Sequence, residues 1–153
     1  MRTGVRLAVD VGSVRVGVAR SDGTGSLAVP VVTLKRDKGD VQSIVDLVAE
    51  YEVLEVVVGY PLTLSNERGP AAEHALTYAR KLALAVAPTP VVMVDERLTT
   101  AAAQRGLHEA GRNTKNSRAV IDQAAAVQLL QDALDAERAS GTRAGTLIED
   151  VAQ

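Results

Sequence analysis

Residues 5–19 read VRLAVDV-GS-VRVGVA, two valine-rich runs parted by Gly12–Ser13. β-Branched residues fit a pleated, half-buried surface, and a two-residue break with glycine first predicts a tight hairpin of the II′ kind. Downstream, Leu27–Leu34 (LAVPVVTL) reads as a third strand. Pro30 cannot donate to a ladder, so it predicts an edge position or a bulge there. Asp40 stands where it can cap a helix in which Val41, Ile44, Val45 and Val48 recur at helical spacing. A short apolar run, Leu54–Val58, ends in Gly59-Tyr60-Pro61. A polar loop from Thr63 to Gly69 follows, and Pro70 suits the first turn of a helix reaching Ala87. Val91–Val94 is another strand, ending at Asp95-Glu96-Arg97, and helices over residues 100–110 and 117–139 close the series. A meander joined to crossover units gives an α/β fold. Its mixed five-stranded sheet has an antiparallel three-strand meander plus two parallel strands, flanked by helices. The domain is expected over residues 1–139, with the Gly/Thr-rich stretch 140–153 as a mobile C-terminal tail.

Composition narrows the function. At 153 residues there is room for one domain. Ala and Val, with 24 and 23 residues, supply most of the core, and there is no Phe or Trp. That excludes the aromatic platforms on which single-strand readers stack bases. No cysteine means no disulfide, thiolate metal site or cysteine nucleophile. His74 and His108 are isolated and take no role. The apolar runs are too short for a membrane span, and the start lacks a signal-peptide core, so a cytoplasmic protein is expected. A net charge of −2 requires any nucleic-acid contact to come from a local basic patch. Arg97, Arg105, Arg112, Lys115 and Arg118 form one against a single acid, Glu109.

Three places carry chemistry. Asp10 closes the first apolar run, where a carboxylate is costly unless paired, hydrogen-bonded or metal-bound; it either holds the turn or serves a site. Asp95 and Glu96 follow the Val91–Val94 strand, at the end of a sheet where ligands bind. Alternation turns only one of them into that crevice. Asp122 interrupts an almost continuous apolar helix, on a solvent stripe or turned inward for a purpose. Together, carboxylates from two strand ends and a helix make a hard oxygen site suited to Mg²⁺ or Mn²⁺. Two such ions would clamp both oxygens of a phosphodiester displacement. The Gly59–Gly69 loop opens a helix, where its amides and Arg68 can hold a phosphate.

These stretches resemble the YqgF/RuvX family in order. Asp10-Val11-Gly12-Ser13-Val14-Arg15-Val16-Gly17-Val18-Ala19 is similar to its opening D-x-G-x-x-R-x-G-x-A motif. Gly59-Tyr60-Pro61-Leu62 with Gly69 and Ala72 resembles the second motif, without the glycine that normally follows the leucine turn. Asp95-Glu96-Arg97-Leu98-Thr99-Thr100 resembles the third, and Lys115 with Asp122, Ala125 and Ala126 the last. The resemblance implies an RNase H-like nuclease domain. It makes Asp10, Glu96 and Asp122 catalytic ligands of two Mg²⁺ or Mn²⁺ ions, with Asp95 the alternative to Glu96, and Arg15 and Arg97 the phosphate contacts beside them. Arg15, Arg68, Arg97, Arg112, Lys115 and Arg118 would bind nucleic acid.

The family is described as pre-16S rRNA nucleases or Holliday-junction resolvases. The implied activity is metal-dependent endonucleolytic hydrolysis of structured nucleic acid, foremost at the 5′ end of pre-16S rRNA. A resolvase of branched DNA and a non-cleaving ribosome assembly factor are the alternatives. An actin-like ATPase also opens on D-x-G, but it needs two such domains. The partner is precursor rRNA or branched DNA rather than a membrane, and either a monomer or a homodimer suits the chain.

Overall fold

The hairpin forms one residue out of phase with its sequence reading. In the computed structural model, β1 (Arg6–Val11) and β2 (Arg15–Ser21) pair antiparallel, with Asp10 opposite Gly17 and Val11 opposite Val16. The Gly12 N–H donates to the Arg15 carbonyl at 2.9 Å, so the tip is Ser13–Val14 rather than Gly12–Ser13. Gly12 does not have the positive φ that a leading glycine in a II′ turn needs. A Cβ there would stand 2.7 Å from the Arg15 carbonyl oxygen, and close approach is what calls for glycine.

β3 (Ala28–Lys35) pairs antiparallel with β2 at the sheet edge, and the register slips where Val18 and Ala19 face Val32 and Pro30. Pro30 thus has both an edge strand and a bulge. α1 (Asp40–Glu50) starts from Gly39 as its N-cap, so Asp40 is the first helical residue rather than the cap. The Asp40 carboxylate accepts the Val41 N–H at 2.7 Å and lies 3.3 Å from Arg36 Nε. β4 (Glu55–Tyr60), α2 (Pro70–Val86, proline in its first turn), β5 (Val91–Asp95) and α3 (Lys115–Ser140) follow. The structure describes residues 2–62, 68–96 and 115–151, with the backbone alone for 115–122; the helix expected over 100–110 lies outside them.

Among the described residues the sheet has six strands, not five. β6 (Thr146–Leu147) pairs antiparallel with β5, giving the order β3-β2-β1-β4-β5-β6 with β1, β4 and β5 parallel. The stretch after Ser140, expected as a mobile tail, is packed on the domain. Ile148 is buried in the core, and Arg143 Nε donates to Glu55 at 2.6 Å. Gly145, at φ +86°, lets this segment pass the β5 backbone; a Cβ there would collide with the Met93 carbonyl and sit 2.8 Å from Val94 Cγ2.

Strand alternation sorts the core into two layers. Leu7, Val9, Val56, Val58, Val91 and Met93 face α1 and α2, whose Ile44, Val48, Leu76 and Leu82 complete that side. Ala8, Ala19, Val57, Val92 and Val94 face α3 through Ala126, Leu129, Leu130 and Leu134. Asp10 and Gly59 are in phase with Ala8 and Val57, so both belong to the α3 face.

Candidate active site

Asp10 is 6% exposed, at the C-terminal end of β1. Its register partner on β2 is Gly17, and Gly17 in turn faces Thr33 on β3. On the other flank Val9 pairs with Val58, so Gly59 lies next to Asp10 along β4. The carboxylate therefore stands in a row with a glycine on either side. Neither neighbour in the row puts a side chain of its own over the sheet.

Two other elements reach this row. From β5, Glu96 lays its side chain over Gly59. A Cβ on Gly59 would lie 3.0 Å from Glu96 Cδ and 3.2 Å from Cγ, and would overlap Oε1. Adjacent strands are about 4.8 Å apart, so the Glu96 carboxylate stands roughly one strand from Asp10. From the other flank, α3 is tied down where Gln123 Nε2 donates to Thr33 Oγ1 at 3.0 Å. Asp122 precedes Gln123 in that helix, one turn before Ala125 and Ala126, which are buried against the sheet.

Asp95 is placed differently. It is paired with Tyr60 and in phase with Met93, on the side of α1 and α2. It lines a cavity of about 470 Å³ at the β5–β6 side of the sheet, to which Tyr60 and Met93 contribute from one layer and Asp132, Ala133 and Ala136 of α3 from the other. Among the basic residues, Arg15 is in phase with Gly17 and shares the α3 face. Arg68 stands at the approach to α2, in the other layer, 3.6 Å from Glu73. Arg97 and Arg112 lie outside the described residues, and Lys115 and Arg118 belong to the stretch of α3 described by its backbone alone.

Arg36 is the residue the sequence did not single out. Its Nη1 donates to the Gly12 carbonyl at 2.9 Å, and its backbone N–H donates to Val14 at 2.8 Å. It also stacks on the Tyr78 ring, 4.8 Å from the centroid. The turn beyond Asp10 is thereby pinned from the α2 side. Tyr78 is buried, which together with the nearby Asp40 charge pushes its phenol above the ordinary range. In the sequence Arg36 is one of four consecutive charged residues, Lys35-Arg36-Asp37-Lys38, and nothing there marks it out.

The donor set suits a hard divalent cation. It offers carboxylate oxygens on one face, in a chain that has no thiolate to attract a softer metal. Among the described residues no three acids or histidines form a complete metal cluster; the third expected acid, Asp122, is described by its backbone alone.

A family model described as RuvX: Holliday junction resolvase matches residues 4–136. The chain belongs to the RuvX family. A RuvX relative from Nocardioides sp. is 51% identical, with 98% of this chain and 99% of the relative covered. Another, from Thermobifida fusca, is 52% identical, with 97% and 98% covered. Both bear the name "Putative pre-16S rRNA nuclease". Among solved structures, Thermus thermophilus RuvC in complex with a Holliday junction substrate aligns with a TM-score of 0.61 at 12% identity, covering 91% of this chain and 98% of RuvC. A second structure of that RuvC gives 0.57 at 15% identity, covering 92% and 99%. At such identities the likeness is one of fold, and the fold is RNase H-like.

Proposed function

We propose that this chain is a cytoplasmic, divalent-metal-dependent endonuclease that processes the 5′ end of pre-16S rRNA. The observation that carries the reading is the shared face: Asp10 flanked by glycines, Glu96 laid over Gly59, and the helix of Asp122 anchored beside Thr33. Membership of the RuvX family and relatives named as pre-16S rRNA nucleases support the same activity. Asp10, Glu96 and Asp122 would hold Mg²⁺ or Mn²⁺, two ions in all. Such ions supply an activated water and positive charge against the departing 3′-oxygen.

The protein's own groups do the rest. Asp10, held in the sheet, gives the site a fixed reference point that needs no rearrangement. Arg15, on the same face, takes the scissile strand's phosphate, and Arg97, Arg112, Lys115 and Arg118 carry the flanking backbone. Arg68 serves at the helix start of α2. With no Phe or Trp in the chain, substrate is held by phosphate and shape rather than by stacking.

A monomer suits trimming of one RNA end. Resolution of a four-way DNA junction is the second reading, favoured by the RuvX description and by the RuvC-like fold over nearly the full chain. It requires a homodimer, because two opposed strands are cut.

The test is cleavage of a labelled pre-16S 5′ end and a labelled four-way junction, each with Mg²⁺, Mn²⁺ or EDTA. Wild type should cut the RNA faster, only with metal, and Asp10→Asn, which alters a proposed ligand itself, should lose more than the roughly 10–100-fold that changing an outer-shell partner costs, while staying folded. Cleavage by Asp10→Asn at the wild-type rate refutes the site. Metal-independent RNA binding without product, from folded wild type, points instead to an assembly factor.

A further inference from the structure

We infer that Gly59 is a positioning residue for Glu96: its missing side chain is the gap through which the β5 acid crosses β4 to reach Asp10. The inference rests on the metal-site reading above and adds a residue to it.

β4 lies between β1 and β5, so the end of β5 is two strands away from Asp10, about 10 Å at ordinary strand spacing. An acid from β5 has to pass over whatever β4 presents on the α3 face. At that point β4 presents Gly59, and the three atoms nearest to a built Cβ are all from Glu96: Oε1, Cδ and Cγ. No backbone requirement explains the glycine, since Gly59 does not have positive φ. A glycine inside a strand otherwise weakens it, so the position carries a local cost that a close approach accounts for. Because the obstructed atoms are the far end of a flexible side chain, an alanine here turns the Glu96 carboxylate aside and leaves the sheet in place.

The test is Mn²⁺ binding by calorimetry, with thermal melting and cleavage in parallel. Wild type, Gly59→Ala, Glu96→Gln, the double variant and Glu96→Asp are compared. Gly23→Ala, where an added Cβ meets nothing within 4 Å, is the control. Gly59→Ala should melt at or above the wild-type temperature and yet bind Mn²⁺ about tenfold more weakly, the scale of a displaced metal-site partner. In the Glu96→Gln background it should cost nothing further, since both changes act on one carboxylate. Glu96→Asp, which keeps the gap but shortens the arm, should also weaken binding.

Unchanged Mn²⁺ affinity in a folded Gly59→Ala overturns the inference. So do losses that multiply in the double variant, or full affinity in Glu96→Asp if Gly59→Ala fails to fold. Wild type that takes up no Mn²⁺ refutes the metal-site reading itself, and the inference with it.

Discussion

Replacing Glu137 by alanine tests the other end of the α3 face, away from Asp10. Arg6, in phase with Ala8 and Asp10 on β1, is 1% exposed, and its Nη2 donates to Glu137 Oε2 at 2.8 Å. Glu137, 4% exposed, also accepts from the Arg2 backbone N–H at 3.3 Å and from the Arg2 side chain. Without Glu137 the Arg6 guanidinium keeps the Gly4 and Arg2 carbonyls, both at 2.8 Å, but loses its nearest opposite charge. Breaking a buried pair in this way costs about 3–5 kcal/mol. Glu55, itself paired with Arg2 and Arg143, is the register neighbour of Arg6, so the lower end, about 3 kcal/mol, is expected. For a domain of this size that lowers Tm by about 6–12 °C. Asp135→Ala is the control, because its pair with Arg138, at 3.5 Å, is exposed on both sides; it should cost under about 0.5 kcal/mol.

Acid adds an independent arm. Burial by itself raises the Glu137 carboxyl, but hydrogen bonds from Arg2 and the charge of Arg6 outweigh it, and the group is held below its ordinary value of 4.5. A depressed folded-state pKa contributes stability that is present above the unfolded value and lost as pH falls through the folded one. The gap between wild type and Glu137→Ala in urea denaturation should therefore be full at pH 7 and close progressively below about pH 4.5. A loss at pH 7 no larger than that of Asp135→Ala, or a gap that persists undiminished to pH 2, refutes the account of a buried pair.

Two further outcomes follow from the packing. Ile148→Ala should cost about 2–3 kcal/mol by urea denaturation, because Ile148 is 7% exposed in the α1/α2 core; a change under about 0.5 kcal/mol would mean that the segment after Ser140 does not hold the β5 edge. The buried Tyr78 phenol, raised above its ordinary value of 10.0 by burial and then by Asp40, should ionise last in an absorbance titration. Tyr78→Phe should remove that step. Since a raised folded-state pKa contributes stability that is lost as pH rises, the wild type should weaken above pH 10 in a way that Tyr78→Phe does not.

Local pattern made the framework legible. Valine-rich runs pointed to β1, β2 and β4, and Pro30 marked an edge and a bulge because its chemistry allows little else. Proline at the start of α2 was equally direct. The misreadings have a common origin in specific contacts, near or far along the chain, that residue type and spacing alone do not reveal. Gly12–Ser13 looked like the hairpin tip, but glycine is needed there to approach the Arg15 carbonyl. Asp40 looked like a cap, but its carboxylate is engaged by Arg36. The segment after Ser140 looked loose because Gly and Thr dominate it, while the contacts of Arg143 and Ile148 that fix it lie on β4 and in the core. For the candidate site, the sequence offered Asp10, Glu96 and Asp122 as separate points. The bare row formed by Gly17, Asp10 and Gly59 exists only once three strands are in register.

The alanine content has a related explanation that composition alone conceals. The α1/α2 layer packs on Leu7, Val9, Ile44, Leu76 and Leu82, whereas the α3 layer sets the buried Ala8, Ala19, Ala28, Ala125, Ala126 and Ala133 among Val57, Val92, Leu129, Leu130 and Leu134. The distance between packed elements depends on the side chains at their contact. Alanines on both surfaces therefore bring the α3 backbone closer to β1 and β2 than α1 and α2 come on the other side. α3 lies closest to β2, with β3 and β1 on either side, and its buried Ala125 and Ala126 come one turn beyond residue 122. Small residues thus serve the two flanks of the site by the same means: alanines let the helix approach from one side, and Gly59 lets the longer glutamate arm cross from the other. A core built of larger residues would bury more apolar area, but it would hold the helix farther from the sheet on the face where the proposed metal-binding carboxylates stand.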